Sequence, residues 1–301
     1  MSNNTNITAI SSQDTGLFRT NTKDQYYTTD TTAKYCIDKL LLKIPELVIG
    51  TGIQEYIWLE PSAGAGSFVC HIPDVVPNEN RIALDIEPAA AGIHKQDYLS
   101  WDVPITNIGK KYLVFGNPPF GRQSSLAKSF ITKSCKFAAV IAFILPKSFV
   151  KPSMNSVFSS EFHCISSEDL ASNSFLLNGT APYNVPCVFQ IWQKQEIPRI
   201  ALPEIQPLGY KYVKPTEPYD IVFRRIGVYA GKAYNPLLTS GTTYSKQSHY
   251  FISLAQQYML HVSQIIEKIN AHLFPSNTVG PRSLSKSEAN EVINLILANI
   301  A

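Results

Sequence analysis

The five cysteines, Cys36, Cys70, Cys135, Cys164 and Cys187, include no Cys-x-x-Cys pair, and no histidine stands near one at zinc-ligand spacing. Zinc-ribbon and dithiol redox chemistry are thereby excluded, no metal site is expected, and the odd, scattered set reads as reduced thiols inside a cell. The longest apolar run, Phe137–Leu145, is far shorter than the roughly 20 residues that cross a bilayer. The polar start MSNNTNITAISSQDTG has no basic-then-apolar leader pattern. These absences predict a soluble chain with no membrane partner, cytoplasmic, or nuclear where the host has a nucleus. There is no internal repeat and no low-complexity tract. Charge is sparse as well: 16% of residues are charged and the net charge is +3, so a nucleic-acid footprint would have to come from local clustering.

What is present is enough apolar material, 45% of 301 residues, for one large domain or a domain with an appendage. Residues 1–22 are rich in Ser, Thr and Asn and read as a flexible lead-in. Thr32–Leu47 has helical apolar spacing, with Pro45 marking the end. Short apolar strands are predicted at Tyr56–Leu59, Arg81–Asp85, Tyr112–Gly116, Phe137–Leu145, Phe162–Ser166 and Val185–Gln193, with a helix at Arg122–Cys135. Strands alternating with helical segments predict an α/β fold, a mostly parallel sheet covered on both faces. Near Ile197 the texture changes to IPRIALPEIQPLGYKYVKPTEPY, which carries five prolines. Beyond it, Asp220–Lys232 suggests a strand pair around Gly227. Helices are expected at Leu254–Leu273 and Ser285–Ile300, the second opening on the capping-box spacing Ser285 to Glu288. The expected division is therefore 1–22, 23–196 and a small carboxy-terminal region, 197–301, suited to nucleic-acid recognition.

Three signals follow one another in fixed order. The first, Leu59-Glu60-Pro61-Ser62-Ala63-Gly64-Ala65-Gly66-Ser67-Phe68, directly follows a strand. Its small residues allow a tight turn and close approach of backbone to a ligand, with the next helix offering its amino-terminal dipole. The dinucleotide fingerprint Gly-x-Gly-x-x-Gly is broken, because position 69 is Val. The second signal is Asp85 in Ala83-Leu84-Asp85-Ile86-Glu87-Pro88, about twenty residues on, where a strand-end carboxylate would take a ribose diol. Further along, Asp97 would accept from an adenine amino group, with Tyr98 beside the ring. The third signal is Phe115-Gly116-Asn117-Pro118-Pro119-Phe120-Gly121. Two prolines remove two backbone donors and stiffen the turn. The Asn117 side-chain oxygen and the Pro118 carbonyl are then free to accept both protons of an amino group attached to an aromatic ring, while Phe120 stacks on that ring.

With these residues in place the chain resembles the class I S-adenosylmethionine-dependent amino-methyltransferases, above all the gamma-type N6-adenine DNA methyltransferases. Lys23-Asp24-Gln25-Tyr26-Tyr27-Thr28-Thr29 is similar to that family's upstream segment, and the likeness covers roughly residues 22–195. The resemblance implies a Rossmann-like sheet of seven strands, mostly parallel with one reversed edge strand. It implies S-adenosyl-L-methionine as cofactor, held by Tyr27, Thr28, Glu60, Pro61, Ala63, Gly64, Gly66, Asp85, Ile86, Asp97, Tyr98 and Asn117. Asn117, Pro118, Pro119 and Phe120 would form the catalytic loop, and Phe175 or Tyr183 would meet the second face of the base.

The implied activity is site-specific methylation of adenine N6 in DNA, as in restriction-modification. RNA is the nearest alternative partner, followed by cytosine N4, protein glutamine, and a degenerate domain that only binds. The tail is shorter than the large recognition domain many DNA enzymes carry, which leaves room for a partner subunit. Within the tail, Lys211, Lys214, Arg224, Arg225 and Lys232 interleave with Tyr212, Tyr219, Phe223 and Tyr229, a mixture suited to phosphate contact and base stacking. Arg122 and Lys147 are further candidates for phosphate contact.

Overall fold

Helix formation begins at Thr29, whose hydroxyl accepts the Thr32 amide at 3.3 Å and caps the first turn. The protein is described by a computed structural model covering residues 26–47, 52–177, 181–200, 203–239, 241–275 and 282–300. The expected lead-in, residues 1–22, lies outside these. The chain divides into two compact units, the first ending at residue 201 and the second beginning at residue 202.

In the first unit the elements run β1 (Tyr26–Thr28), α1 (Asp30–Lys43), α2 (Gly52–Glu55), β2 (Tyr56–Glu60), β3 (Arg81–Asp85), β4 (His94–Lys95) and β5 (Lys111–Gly116). They continue as α3 (Ser125–Ser134), β6 (Ala138–Pro146), β7 (Phe162–Asp169), β8 (Phe175–Leu177), β9 (Ala181–Tyr183) and β10 (Cys187–Lys194). Seven strands form one sheet in the order β4-β3-β2-β5-β6-β10-β7. β10 runs antiparallel to both β6 and β7, and the other neighbouring pairs are parallel. The reversed strand therefore lies inside the sheet rather than at its edge, where the resemblance put it. β6 explains the unbroken apolar run: it is central, and eight of its nine residues are buried.

Alternate residues of β5 serve opposite faces. Tyr112 and Val114 join the cluster formed with Ala127, Phe130 and Ile131 of α3. On the other face Phe115 meets Trp58 edge-on at 5.5 Å. α1, with Ala33, Cys36, Ile37 and Leu40 buried at helical spacing, packs on β10. The expected helix after the glycine turn is only a one-turn 3-10 segment, Val69–His71. Aromatic and β-branched residues follow the turn, and Pro73 stops any extension. Arg199, inside the proline-rich stretch that begins at Ile197, belongs to this unit. Its guanidinium donates to the carbonyls of Asn155, Phe158 and Ser159 and lies 5.2 Å from the Trp192 ring.

The second unit comprises β11 (Tyr210–Val213), β12 (Ile221–Arg224), β13 (Ala233–Tyr234), β14 (His249–Leu254), α4 (Val262–Ala271) and α5 (Lys286–Ala298). Its sheet is ordered β11-β14-β12-β13, wholly antiparallel. The expected helix from Leu254 is corrected here: Leu254 ends a strand, and α4 begins only at Val262. Ser285 caps α5, and both halves of the capping box are made. No helix among the described residues is long and apolar enough to cross a membrane.

Candidate active site

Where the carboxy ends of β2, β3 and β5 meet, the first unit holds a cavity of about 520 Å³. The glycine turn forms one wall. Gly64 has φ +54°, and its amide donates to Asp85 Oδ2 at 2.7 Å, while Asp85 Oδ1 accepts the Glu87 amide at 2.7 Å. The turn is also tied to β3 through the Ala63 amide and the Leu84 carbonyl, at 2.8 Å. A Cβ at Gly64 would sit 3.4 Å from the Tyr27 ring, so any side chain there would meet that ring. Gly66, with φ +85°, shapes the turn but does not line the cavity. Every other cofactor and catalytic candidate does, from Tyr27 through Phe120. Tyr98 is a floor residue, 1% exposed, with its hydroxyl 2.7 Å from Ser134 Oγ. One oxygen of Asp97 accepts the Leu99 amide at 2.9 Å.

Glu60 is a strongly perturbed group in the site. It is 2% exposed, and its Oε2 has no hydrogen-bond partner. Burial, reinforced by the negative Asp85 and only partly offset by the Val69 amide, pushes its carboxyl up to about 8. Its side chain leans on Gly116, where an added Cβ would lie 3.1 Å from Glu60 Cγ and 3.3 Å from Oε1, at φ +125°. Gly116→Ala is therefore expected to destabilise the fold by about 1–3 kcal/mol, read as a lowered midpoint in thermal unfolding. An unchanged midpoint would mean that Glu60 moves aside freely.

Asn117 sits just past β5 with its amide orientation set by neighbours. Nδ2 donates to the Tyr26 carbonyl at 3.2 Å and to Thr28 Oγ1 at 3.1 Å, and the backbone carbonyl of Asn117 accepts from Ser62 Oγ at 3.1 Å. Oδ1 is left buried without a partner in a residue that lines the cavity. Phe120, 9% exposed, lines the same cavity. The chain then turns sharply, with Gly121, Gln123 and Ser124 all at positive φ, before α3 starts.

β1, which brings Tyr26 and Thr28 to Asn117, is held by a three-stranded sheet, β1-β8-β9. Sequence reasoning missed this sheet, and missed Ser62 although it lies within the quoted motif. Gln96, Leu126 and Phe130 are further lining residues that carried no recognisable signal. Phe175 pairs with Thr28 in this sheet but is 1% exposed and does not line the cavity, which removes it as a partner for the second face of a base. The side chain of Tyr183 lies outside the described residues.

Two of the tail's proposed contacts are also relocated. Phe223 is fully buried in the second unit's core, so it presents no face for stacking. Tyr212 is part-buried, with its hydroxyl donating to Asn290 Oδ1 at 2.7 Å. Tyr229 is 60% exposed. In the first unit, Lys147 pairs with Asp169 at 2.8 Å, and Arg122 lies exposed at the turn after Phe120.

The seven-stranded, mostly parallel sheet with a cavity at its strands' carboxy ends defines a Rossmann-like α/β fold. No protein-family model matches the sequence, and none of the curated proteins does. Three solved structures align with part of the chain. A Pyrococcus horikoshii protein assigned provisionally to the RNA methyltransferases aligns at 13% identity and TM-score 0.42, over 57% of this chain and 88% of its own. A Thermoplasma acidophilum protein aligns at 15% and 0.36, over 56% and 98%. The type IIL restriction-modification enzyme MmeI, solved in complex with DNA, aligns at 12% and 0.34, over 56% of this chain and 35% of its own. At these values the likeness carries no inference about activity.

Proposed function

We propose that the chain transfers a methyl group from S-adenosyl-L-methionine to the N6 amino group of adenine in DNA. The observation that carries this reading is the Asn117 amide, pinned by its nitrogen with its oxygen unpartnered in a residue that lines the cavity with Phe120. A buried acceptor without a donor is costly, and a ligand N–H relieves that cost.

The residues present fit the cofactor. The glycine turn lines the cavity with its backbone, and Glu60 offers a buried carboxyl oxygen with no partner, suited to a cation. Asp85 and Asp97 keep spare lone pairs for hydroxyl and amino donors after the contacts already described. S-adenosylmethionine, when bound, supplies a methyl on a positively charged sulfur, which leaves as a neutral thioether.

The chain's own part is orientation. Asn117 Oδ1 accepts one amino proton, and the Pro118 carbonyl takes the other. The amino nitrogen is drawn out of conjugation with the ring, and its lone pair is freed to form the new N–C bond. The excess proton leaves the nitrogen to water, so no general base is required. Phe120 stacks on the base and holds it in line with the methyl group. A base within a duplex must be turned out of the stack to reach such a cavity.

Thr28 is a positioning residue in this scheme. Thr28→Val removes an acceptor that fixes the Asn117 amide, and is expected to lower turnover about fivefold, the worth of a hydrogen bond of about 1 kcal/mol. Thr28→Ser should restore it. Equal turnover for the Val and Ser variants would mean that the hydroxyl does not set the amide. The deciding experiment for the function incubates the protein and labelled cofactor with duplex DNA, single-stranded DNA, RNA and a protein extract, then identifies modified nucleosides and residues by mass spectrometry. N6-methyladenine from DNA supports the proposal. The same mark from RNA alone, N4-methylcytosine, or methylglutamine would replace it.

A further inference from the structure

From Ile221 to Ile266 the chain contains no Asp or Glu, while Arg224, Arg225, Lys232 and Lys246 fall within it. Those four cations exceed the +3 of the whole chain, so the remainder is net negative. The acids of the second unit, Glu204, Glu217, Asp220, Glu267, Glu288 and Glu291, lie outside this stretch, and Asp220 already accepts the Leu254 amide at 2.8 Å. Arg225 turns toward the Tyr250 ring, 5.2 Å away. Arg224 lies over the exposed ring of Tyr229 at 5.8 Å, and Lys246 is exposed.

The same stretch holds two adjacent leucines in water. Leu237 is 87% and Leu238 79% exposed. Single exposed leucines are ordinary. These two sit on a turn pinned by Asn235, whose Oδ1 accepts the Leu237 amide at 2.9 Å and whose carbonyl accepts the Leu238 amide at 3.1 Å and the Thr239 hydroxyl at 3.0 Å. One side chain spans from this turn to the cations. The Tyr244 hydroxyl bonds Thr239 Oγ1 at 2.8 Å, its ring meets that of His249 at 5.1 Å, and His249 is the strand partner of Arg224. The apolar turn is therefore linked, through Tyr244 and His249, to the strand that carries Arg224.

We propose that this turn, with the cations linked to it, is a docking surface for duplex DNA, with Leu237 and Leu238 as a wedge entering the base stack and Arg224 and Lys246 on the flanking phosphates. Apolar side chains inserted between base steps, supported by cations on the backbone, are an established way for proteins to open a duplex. Two leucine side chains match a gap in a stack, and they are too little apolar surface to anchor a protein in a bilayer. The inference rests on the proposed action on DNA, which requires an extrahelical base.

The test titrates full-length protein onto duplexes carrying 2-aminopurine, following anisotropy at several salt concentrations together with 2-aminopurine emission. The wild type is expected to raise the emission on binding. L237A/L238A should lose that rise and bind about tenfold more weakly, with the salt slope unchanged. R224Q/K246Q should keep the rise at saturation and lower the slope by about one per cation removed. Both leucines are exposed, so thermal melts should be unchanged. Equal binding and emission for L237A/L238A overturns the wedge, as does preference for RNA or for anionic vesicles of phosphatidylserine and phosphatidylcholine. Leucine-dependent duplex binding without methyl transfer to DNA would keep this surface and discard the proposed function. DNA methylation with identical KM in wild type and L237A/L238A would do the reverse.

Discussion

Asn117→Ala is expected to lower methyl transfer by about a thousandfold, the scale of losing a pre-organised polar contact to the reacting group, while cofactor affinity stays within about threefold. The alanine removes the partnerless oxygen of the Asn117 side chain and, with it, the acceptor proposed to bend the amino group out of conjugation. It leaves Glu60, Asp85 and the glycine turn untouched. Asn117→Asp should fail nearly as badly, because a carboxylate has no N–H for the Tyr26 carbonyl or Thr28 Oγ1 and turns an oxygen toward each. Single-turnover kinetics separate the two effects, since the loss should fall on the chemical step and calorimetry should still find a bound cofactor. Full activity in the alanine variant would remove Asn117 from the chemistry.

The affinity for S-adenosylmethionine should rise with pH by about tenfold per unit from pH 6 to 8, then level off. Without cofactor, Glu60 titrates at about 8 instead of the ordinary 4.5, because burial penalises the charged form and Asp85 adds to it. A cationic ligand needs the carboxylate, so below pH 8 binding must expel a proton. The sign for stability is opposite. The raised carboxyl contributes stability that is fully present below pH 4.5 and is lost as pH rises through about 8, so the free protein weakens across that window. Calorimetry in two buffers of different ionisation enthalpy should count close to one proton released at pH 6.5. Glu60→Gln should abolish both the proton release and the pH dependence. A pH-independent affinity in the wild type would show that Glu60 does not meet a cation.

Much of the parallel sheet was legible because its strands carry their own signals. β3 runs over Arg81–Asp85 as expected, and β6 was visible as an apolar run since both of its faces are buried. The capping box of α5 is likewise local. Leu254 misled because a strand and a following 3-10 turn present apolar residues at spacings a helix would also show. The β1-β8-β9 sheet left no trace, since each strand is three residues long and pairing across 147 or more positions cannot be read from either segment. Phe223 and Phe175 looked like stacking rings because aromatic residues serve cores and ligands equally well, and only burial tells them apart.

The sequence by itself determined the order of the chemistry: a glycine turn, an acid at the next strand's end, and Asn117-Pro118-Pro119-Phe120 at the end of a third, each a short motif with local geometry. Only the tertiary structure decided what each side chain is free to do. Folding spends the Asn117 nitrogen on β1 and leaves its oxygen open, commits both Asp85 oxygens to backbone amides, and strips Glu60 of water. Those outcomes depend on which segments meet in space, and therefore on hydrogen bonds and desolvation that residue type and spacing do not specify.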